Sequence, residues 1–184
     1  MSFLPFFEFP MIYSSFRQIF PNFDLEIKAD DIPDENNTIT LGETSMTGSK
    51  QFTITLNSRY LDLPSLDIAR TLLHEAIHAE MKRKIASVGG EITTKNFPGI
   101  YDYYTRYGRE GDWSHQQMAA HYINTIVNGL QEYDNNQHSE SFYESIAWKG
   151  LQGTTVWNQL STDQQEYYNS EYQVFLSTGS KNCQ

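Results

Sequence analysis

Two kinds of hydrophobic periodicity divide the chain. Between residues 24 and 57, apolar and polar residues alternate, which is typical of β-strands with one buried face. From residue 65 onward, apolar residues recur every three or four positions, which is typical of amphipathic helices. The first pattern predicts strands at 24–28, 37–41 and 51–57, with a turn over GETSMTGSK (42–50) between the last two.

The helical part of the chain has clear start and stop signals. Ser65 follows Pro64 and opens the first helix, and Gly89 and Gly90 end it. Ser161, with Gln164 three residues later, is the capping-box pattern of the last helix. Because the strands precede the helices, we expect an α+β fold, with a small antiparallel or mixed sheet and the helices on one side. The predicted helices span residues 65–86, 114–133, 139–151 and 161–176, and a further short helix is expected within the aromatic segment 1–22.

Length and composition favour one globular domain. The chain has 184 residues, of which 39% are hydrophobic and 14% aromatic, enough to bury a core. We therefore expect a single domain over 1–184, with a core of about 24–133 and a C-terminal helical extension of about 138–178. The formal net charge of −10, without a Lys/Arg-rich run, disfavours a nucleic-acid partner.

The two ends of the chain lack targeting and disulfide signals. The apolar N-terminal segment has no basic start and is interrupted by Pro5, Glu8 and Pro10, unlike a signal peptide. No apolar stretch has the length of a membrane span. We therefore expect a cytoplasmic protein unless a targeting segment was removed. Cys183, the single cysteine, is expected to be an inert thiol.

The segment TLLHEAIHAEM (71–81) holds the residues with the clearest chemistry. On a helix, His74 and His78 lie one turn apart on one face and can bind a single metal ion through their imidazole nitrogens. Glu75 is offset by one position, so its carboxylate lies beside the ion and can accept a proton from water. The alternative is a helix with two structural or solvated histidines. The spacing with the intervening glutamate favours the metal site.

A catalytic zinc needs a third protein ligand. Lys84 stands where an extended form of the motif has its third histidine, so the ligand must come from later in the chain. On the predicted helix 114–133, His115 shares the apolar arc with Met118 and Ala119, whereas His121 lies on the polar side. This placement favours His115. It leaves open His121 or one of three carboxylates, those of Glu110, Asp112 and Glu144.

These residues make the chain similar to the zincin metallopeptidases. The segment HEAIHAE behind the strand QFTITLN, together with the later SHQQMAAHYI, most resembles the SprT-like minimal zincins over roughly residues 35–133. The resemblance implies a zincin-like fold, in which a small sheet with an edge strand lies over the His-Glu-x-x-His helix and a second helix carries a histidine. It also implies Zn²⁺ bound by His74, His78 and His115, Glu75 as general base, and a peptide or protein substrate paired along an edge strand.

The leading hypothesis is therefore zinc-dependent peptide hydrolysis. Strand 51–57 is the expected place for the substrate backbone, and Tyr122 or a tyrosine of YDYYTRYG (101–108) is a candidate to assist the oxyanion. The second hypothesis is a non-catalytic binding module that keeps the zincin fold with a structural or vestigial metal site. The third is a DNA-associated protease, which the acidic charge disfavours.

Overall fold

The computed structural model describes residues 24–33, 39–48, 51–87 and 113–181. These residues form an α+β fold with one three-stranded sheet and six helices. No helix among them is long and apolar enough to cross a membrane. The strands are β1 (Asp24–Asp30), β2 (Gly42–Gly48) and β3 (Gln51–Asn57). The helices are α1 (Ser65–Ser87), α2 (Trp113–His121), α3 (Ile123–Tyr133), α4 (Glu140–Ala147), α5 (Thr155–Gln159) and α6 (Thr162–Thr178).

The sheet is mixed, and β3 is its central strand. β1 pairs with β3 in parallel and β2 pairs with β3 antiparallel, so the described strand order is β1-β3-β2. Every residue from 52 to 57 is buried, which fits a strand that has a partner on both sides. The prediction that strand 51–57 receives a substrate is therefore wrong, because both edges of that strand are already paired. Among the described residues, β2 is the edge strand beside α1.

The segment predicted as a turn forms most of the edge strand. Residues 42–48 are β2, paired with β3 from Gly42 opposite Leu56 onward. The turn was predicted from the two glycines of this segment. The hydrogen bonds that β2 forms with β3 outweigh the local preference of glycine for turns. Of the strand predicted at 37–41, residues 39–41 lead into β2 and the rest lies outside the described residues, as does the helix expected within 1–22.

The first helix and the last are confirmed, and the second is divided. α1 spans Ser65–Ser87, and α6 begins with the predicted capping box between Ser161 and Gln164. The helix predicted over 114–133 is broken at Tyr122, whose φ of −123° and ψ of −1° are not helical. The predicted third helix is confirmed as α4, with Ser139 as its N-cap, and the chain turns at Gly150 with a φ of +89°. The short helix α5 was not predicted.

The core forms around α1, which packs against the sheet and against α3. Gly129 on α3 allows this close packing, because a Cβ there would lie 2.8 Å from Cδ2 of Leu73. Tyr172 on α6 donates a hydrogen bond from its hydroxyl to the fully buried Asp67 of α1, at 3.1 Å. The C-terminal helices are therefore joined to α1 by a buried polar contact as well as by apolar packing. The fully buried apolar side chains of α1 and β3 include Ile54, Leu72, Ala76 and Ile77.

Candidate metal centre

α1 carries three residues of the predicted motif, His74, Glu75 and His78, in its largely buried middle part. His74 and Glu75 are only 7% and 8% exposed, and His78 is half-buried. His74 and His78 are separated by one helical turn, so their rings lie side by side with Nε2 atoms 3.1 Å apart. The helix therefore supplies two imidazole nitrogens that point to one place, as its spacing predicts.

α2 brings the third histidine to the same place. Nε2 of His115 lies 3.2 Å from Nε2 of His74 and 3.2 Å from Nε2 of His78. The ring centroids of the three histidines are 4.8–5.1 Å apart, so the rings converge at their Nε2 atoms. His115 follows the predicted orientation, because Met118 and Ala119, one turn further along α2, are buried in the core. We call His74, His78 and His115 the histidine cluster.

The histidine cluster could hold a metal ion. A tetrahedral ion bound 2.0–2.1 Å from each nitrogen needs ligand nitrogens about 3.3–3.4 Å apart. The observed separations of 3.1–3.2 Å are close to that requirement. An ion held by these three nitrogens alone would have a fourth position open, as the ions of catalytic zinc sites do.

Burial keeps the imidazoles of His74 and His78 neutral, which is the form that binds metals. Burial is the main cause that lowers the pKa of His74 well below its ordinary value, and the electrostatic influence of His78, Arg70 and His115 acts in the same direction. Burial, followed by His115 and Lys82, lowers the pKa of His78 to about 3. Neutral imidazole has the free electron pair that a metal requires, so both histidines are ready to act as ligands near neutral pH.

Glu75 is hydrogen-bonded to the edge strand and lies near enough to His115 for the two to interact electrostatically. The hydroxyl oxygen of Thr44 on β2 is 2.8 Å from Oε2 of Glu75 and 2.7 Å from the Glu75 carbonyl oxygen. Burial raises the pKa of the Glu75 carboxyl, and the Thr44 hydrogen bond and the Lys82 ammonium oppose that shift. A buried carboxyl next to a metal-binding group and held by a hydroxyl is suited to accept and return a proton.

No family model, no curated protein and no solved structure matches the chain.

Gly42 allows β2 to approach α1 at the position of Glu75. A Cβ at Gly42 would lie 2.9 Å from Cγ2 of Thr71 and 3.3 Å from Cγ of Glu75. Only a glycine fits so close to the helix without a shift of its neighbours. Sequence reasoning missed both Gly42 and Thr44, although their spacing of two residues on a strand would have placed them on one face toward α1.

The turn around Gly150 closes the other side of His74. A Cβ at Gly150 would lie 3.6 Å from Cε1 of His74 and 3.7 Å from an Arg70 guanidinium nitrogen, and its φ of +89° favours glycine. Arg70 itself is held by Asp67, whose Oδ1 accepts from two of its nitrogens at 3.0 and 3.2 Å. The C-terminal part of the chain thus contributes to the wall of the metal centre, which the motif alone did not indicate.

Other sequence candidates lie elsewhere. His121 is exposed at the end of α2 and is not part of the histidine cluster. Glu144 accepts a hydrogen bond from the Tyr168 hydroxyl at 2.8 Å, in the contact between α4 and α6. The Tyr122 hydroxyl accepts a hydrogen bond from Nζ of Lys84 at 3.3 Å. Glu110, Asp112 and the segment 101–108 lie outside the described residues.

Proposed function

We propose that this protein is a zinc-dependent metallohydrolase that cleaves peptide bonds, with Glu75 as the general base. The observation that supports the proposal most directly is the convergence of three Nε2 atoms within 3.2 Å beside a buried carboxyl. Three imidazoles with an open fourth position are one of the ligand sets of catalytic zinc. The His-Glu-x-x-His spacing on α1 and the resemblance to SprT-like zincins point to the same chemistry.

Each residue of the site has a separate role in the proposed hydrolysis. His74, His78 and His115 would hold Zn²⁺, which when bound supplies Lewis-acid activation of water and of the substrate carbonyl. The Glu75 carboxylate accepts a proton from the attacking water and delivers it to the leaving nitrogen. The Thr44 hydroxyl, at 2.8 Å from Oε2 of Glu75, holds that carboxylate beside β2.

The edge strand β2 offers a place for the substrate. Strand addition gives a peptide main-chain hydrogen bonds that do not depend on its side chains. β2 has no strand on its outer side among the described residues, and its Thr44 contacts Glu75. A zincin-like arrangement, in which the substrate lies antiparallel or parallel to an edge strand above the metal, is part of this proposal.

The test is metal-dependent hydrolysis by the purified chain. The zinc-loaded protein should cleave a mixture of unstructured peptides, and a chelator should abolish cleavage until zinc is restored. Glu75→Gln should bind zinc as the wild type does and lose activity by about 10²–10⁴-fold, because the amide cannot accept the proton. Glu166→Gln, on the exposed side of α6, is the matched control and should keep full activity.

Two outcomes would refute the proposal in different ways. Full activity of Glu75→Gln would refute the role of Glu75 as base. Zinc bound by the wild type without any hydrolysis would favour the non-catalytic binding module.

A further inference from the structure

The register of β2 on β3 shows which of its backbone groups face outward. The Asn57 amide donates to the Leu41 carbonyl at 2.8 Å, so these two opposed residues form a hydrogen-bonded pair. Such pairs alternate with non-hydrogen-bonded pairs along an antiparallel ladder. Thr44 lies opposite Ile54, three positions along the ladder, and therefore belongs to a non-hydrogen-bonded pair. Its N–H and C=O point away from β3, to the edge of β2 that no other described strand pairs with.

A lysine from α1 already occupies that edge. Nζ of Lys82 donates a hydrogen bond to the outward carbonyl of Thr44. The two basic residues that follow Lys82 behave differently, since Arg83 and Lys84 pair with Glu80 at 2.6 and 3.4 Å. The Lys82 ammonium is thus hydrogen-bonded to a neutral carbonyl, with the carboxylates of Glu75 and Glu43 near enough to act on its charge, whereas Arg83 and Lys84 are ion-paired with Glu80.

Thr44 contacts both the Lys82 ammonium and the Glu75 carboxyl of the candidate metal centre. Its carbonyl accepts from Lys82, and its hydroxyl lies 2.8 Å from Oε2 of Glu75. Both contacts come from one residue, so the Lys82 ammonium and the Glu75 carboxyl lie on neighbouring sides of the place where a peptide would bind. A peptide N–H that paired with β2 at this point would compete with Lys82 for the same carbonyl.

We propose that Lys82 is a specificity-determining residue that binds a carboxylate of an extended peptide laid along the free edge of β2. This inference rests on the proposed function. A peptide N–H that shares the Thr44 carbonyl weakens the hydrogen bond that the ammonium donates to it, and a substrate carboxylate offers the ammonium an ion pair in which both partners are charged. Glu75 and Glu43 are the carboxylates of the described chain that act on the Lys82 ammonium, and salt screens charges beyond about 8 Å. The preferred substrates are therefore peptides with Asp, Glu or a terminal carboxylate near the cleaved bond.

The experiment uses matched peptide hydroxamates and the zinc-loaded full chain. Each probe is an acetylated tetrapeptide hydroxamate, and Glu or Gln is placed at each position in turn. Calorimetry gives the dissociation constants for the wild type, Lys82→Met, Lys82→Arg and the control Lys84→Met. At one position or more, the wild type should bind the Glu probe about five- to tenfold more tightly than the Gln probe. Lys82→Met should lose this preference, Lys82→Arg should keep part of it, and Lys84→Met should match the wild type.

The result separates this inference from the proposed function. Equal binding of Glu and Gln probes by the wild type at every position would overturn the role of Lys82. Equal loss of preference in Lys84→Met and Lys82→Met would also overturn it, because the effect would then be one of net charge. If the wild type hydrolyses unmodified peptides without discrimination, only the Lys82 inference fails. If it discriminates between the probes but hydrolyses nothing, only the hydrolase proposal fails.

Discussion

The hydroxyl oxygen of Thr44 lies 2.8 Å from Oε2 of Glu75, so the edge strand and the helix that bears the predicted general base meet at a hydrogen bond. The same oxygen lies 2.7 Å from the Glu75 carbonyl oxygen. A hydroxyl has one hydrogen to donate and two electron pairs with which to accept. Thr44 can therefore donate to the ionised carboxylate, or accept from the protonated carboxyl while donating to the carbonyl, and it fits both states of a group that carries a proton.

Replacement of Thr44 should impair catalysis without removing the metal. Thr44→Val keeps the shape and the β-branch but loses the hydroxyl, so the Glu75 carboxylate is no longer held. We expect kcat to fall about 10–100-fold, the range for loss of a hydrogen bond to a charged group, with KM and zinc content close to those of the wild type. Thr44→Ser should recover most of kcat. Equal kcat values for the Val and Ser variants would contradict this positioning role.

The third ligand can be tested by comparing two histidines on one helix. His115→Ala should weaken zinc binding by more than about 100-fold, because loss of a ligand costs more than loss of an outer-shell partner. His121→Ala, at the exposed end of α2, should bind zinc as the wild type does. Competition with a chromophoric chelator measures both affinities.

Thermal unfolding checks the same assignment independently. Free zinc at 100 times its dissociation constant should stabilise the wild type by about 2.7 kcal/mol. For a chain of this size that corresponds to a rise in Tm of roughly 5–10 °C. At the same zinc concentration His115→Ala should show almost no rise. A full rise in His115→Ala would show that another residue completes the site.

The close approach of β2 to α1 predicts a large difference between two glycines of one strand. Gly42→Ala places a Cβ 2.9 Å from Cγ2 of Thr71 on the rigid helix, and we expect a loss of about 1–3 kcal/mol in the free energy of unfolding. Gly48→Ala places its Cβ 2.9 Å from Oε1 of Gln51, the end of a flexible side chain that can move away. Urea unfolding should therefore show a much smaller change for Gly48→Ala. Equal losses would mean that strand flexibility, and not the contact with α1, explains the effect.

Features that depend on a single helix could be predicted from the local sequence pattern. The spacing of His74, Glu75 and His78 depends on the helical repeat alone, and the boundaries of α1 and α6 follow from their flanking residues. The position of His115 could also be predicted, because a helix that buries Met118 and Ala119 must turn His115 to the same side. The break at Tyr122 could not, since the apolar repeat continues through it.

Contacts between distant segments could not be predicted from local pattern. Two glycines and three small polar residues are typical of a turn, yet residues 42–48 form a strand because β3 pairs with them. Because β1 pairs with the other side of β3, β3 is central, and the prediction that a substrate pairs with strand 51–57 is wrong. The turn at Gly150 lies beside His74 although the two residues are 76 positions apart, and no local signal marks this proximity.

The sequence by itself determined an α+β protein whose first helix carries two histidines and a glutamate in metal-site spacing, because helical periodicity and strand alternation are properties of neighbouring residues. Only the tertiary structure decided that the three Nε2 atoms come within 3.2 Å, that Thr44 holds Glu75, and that Lys82 reaches the free edge of β2. These relationships depend on how α1, α2 and β2 pack. Packing is the sum of many contacts between residues that are far apart in the chain.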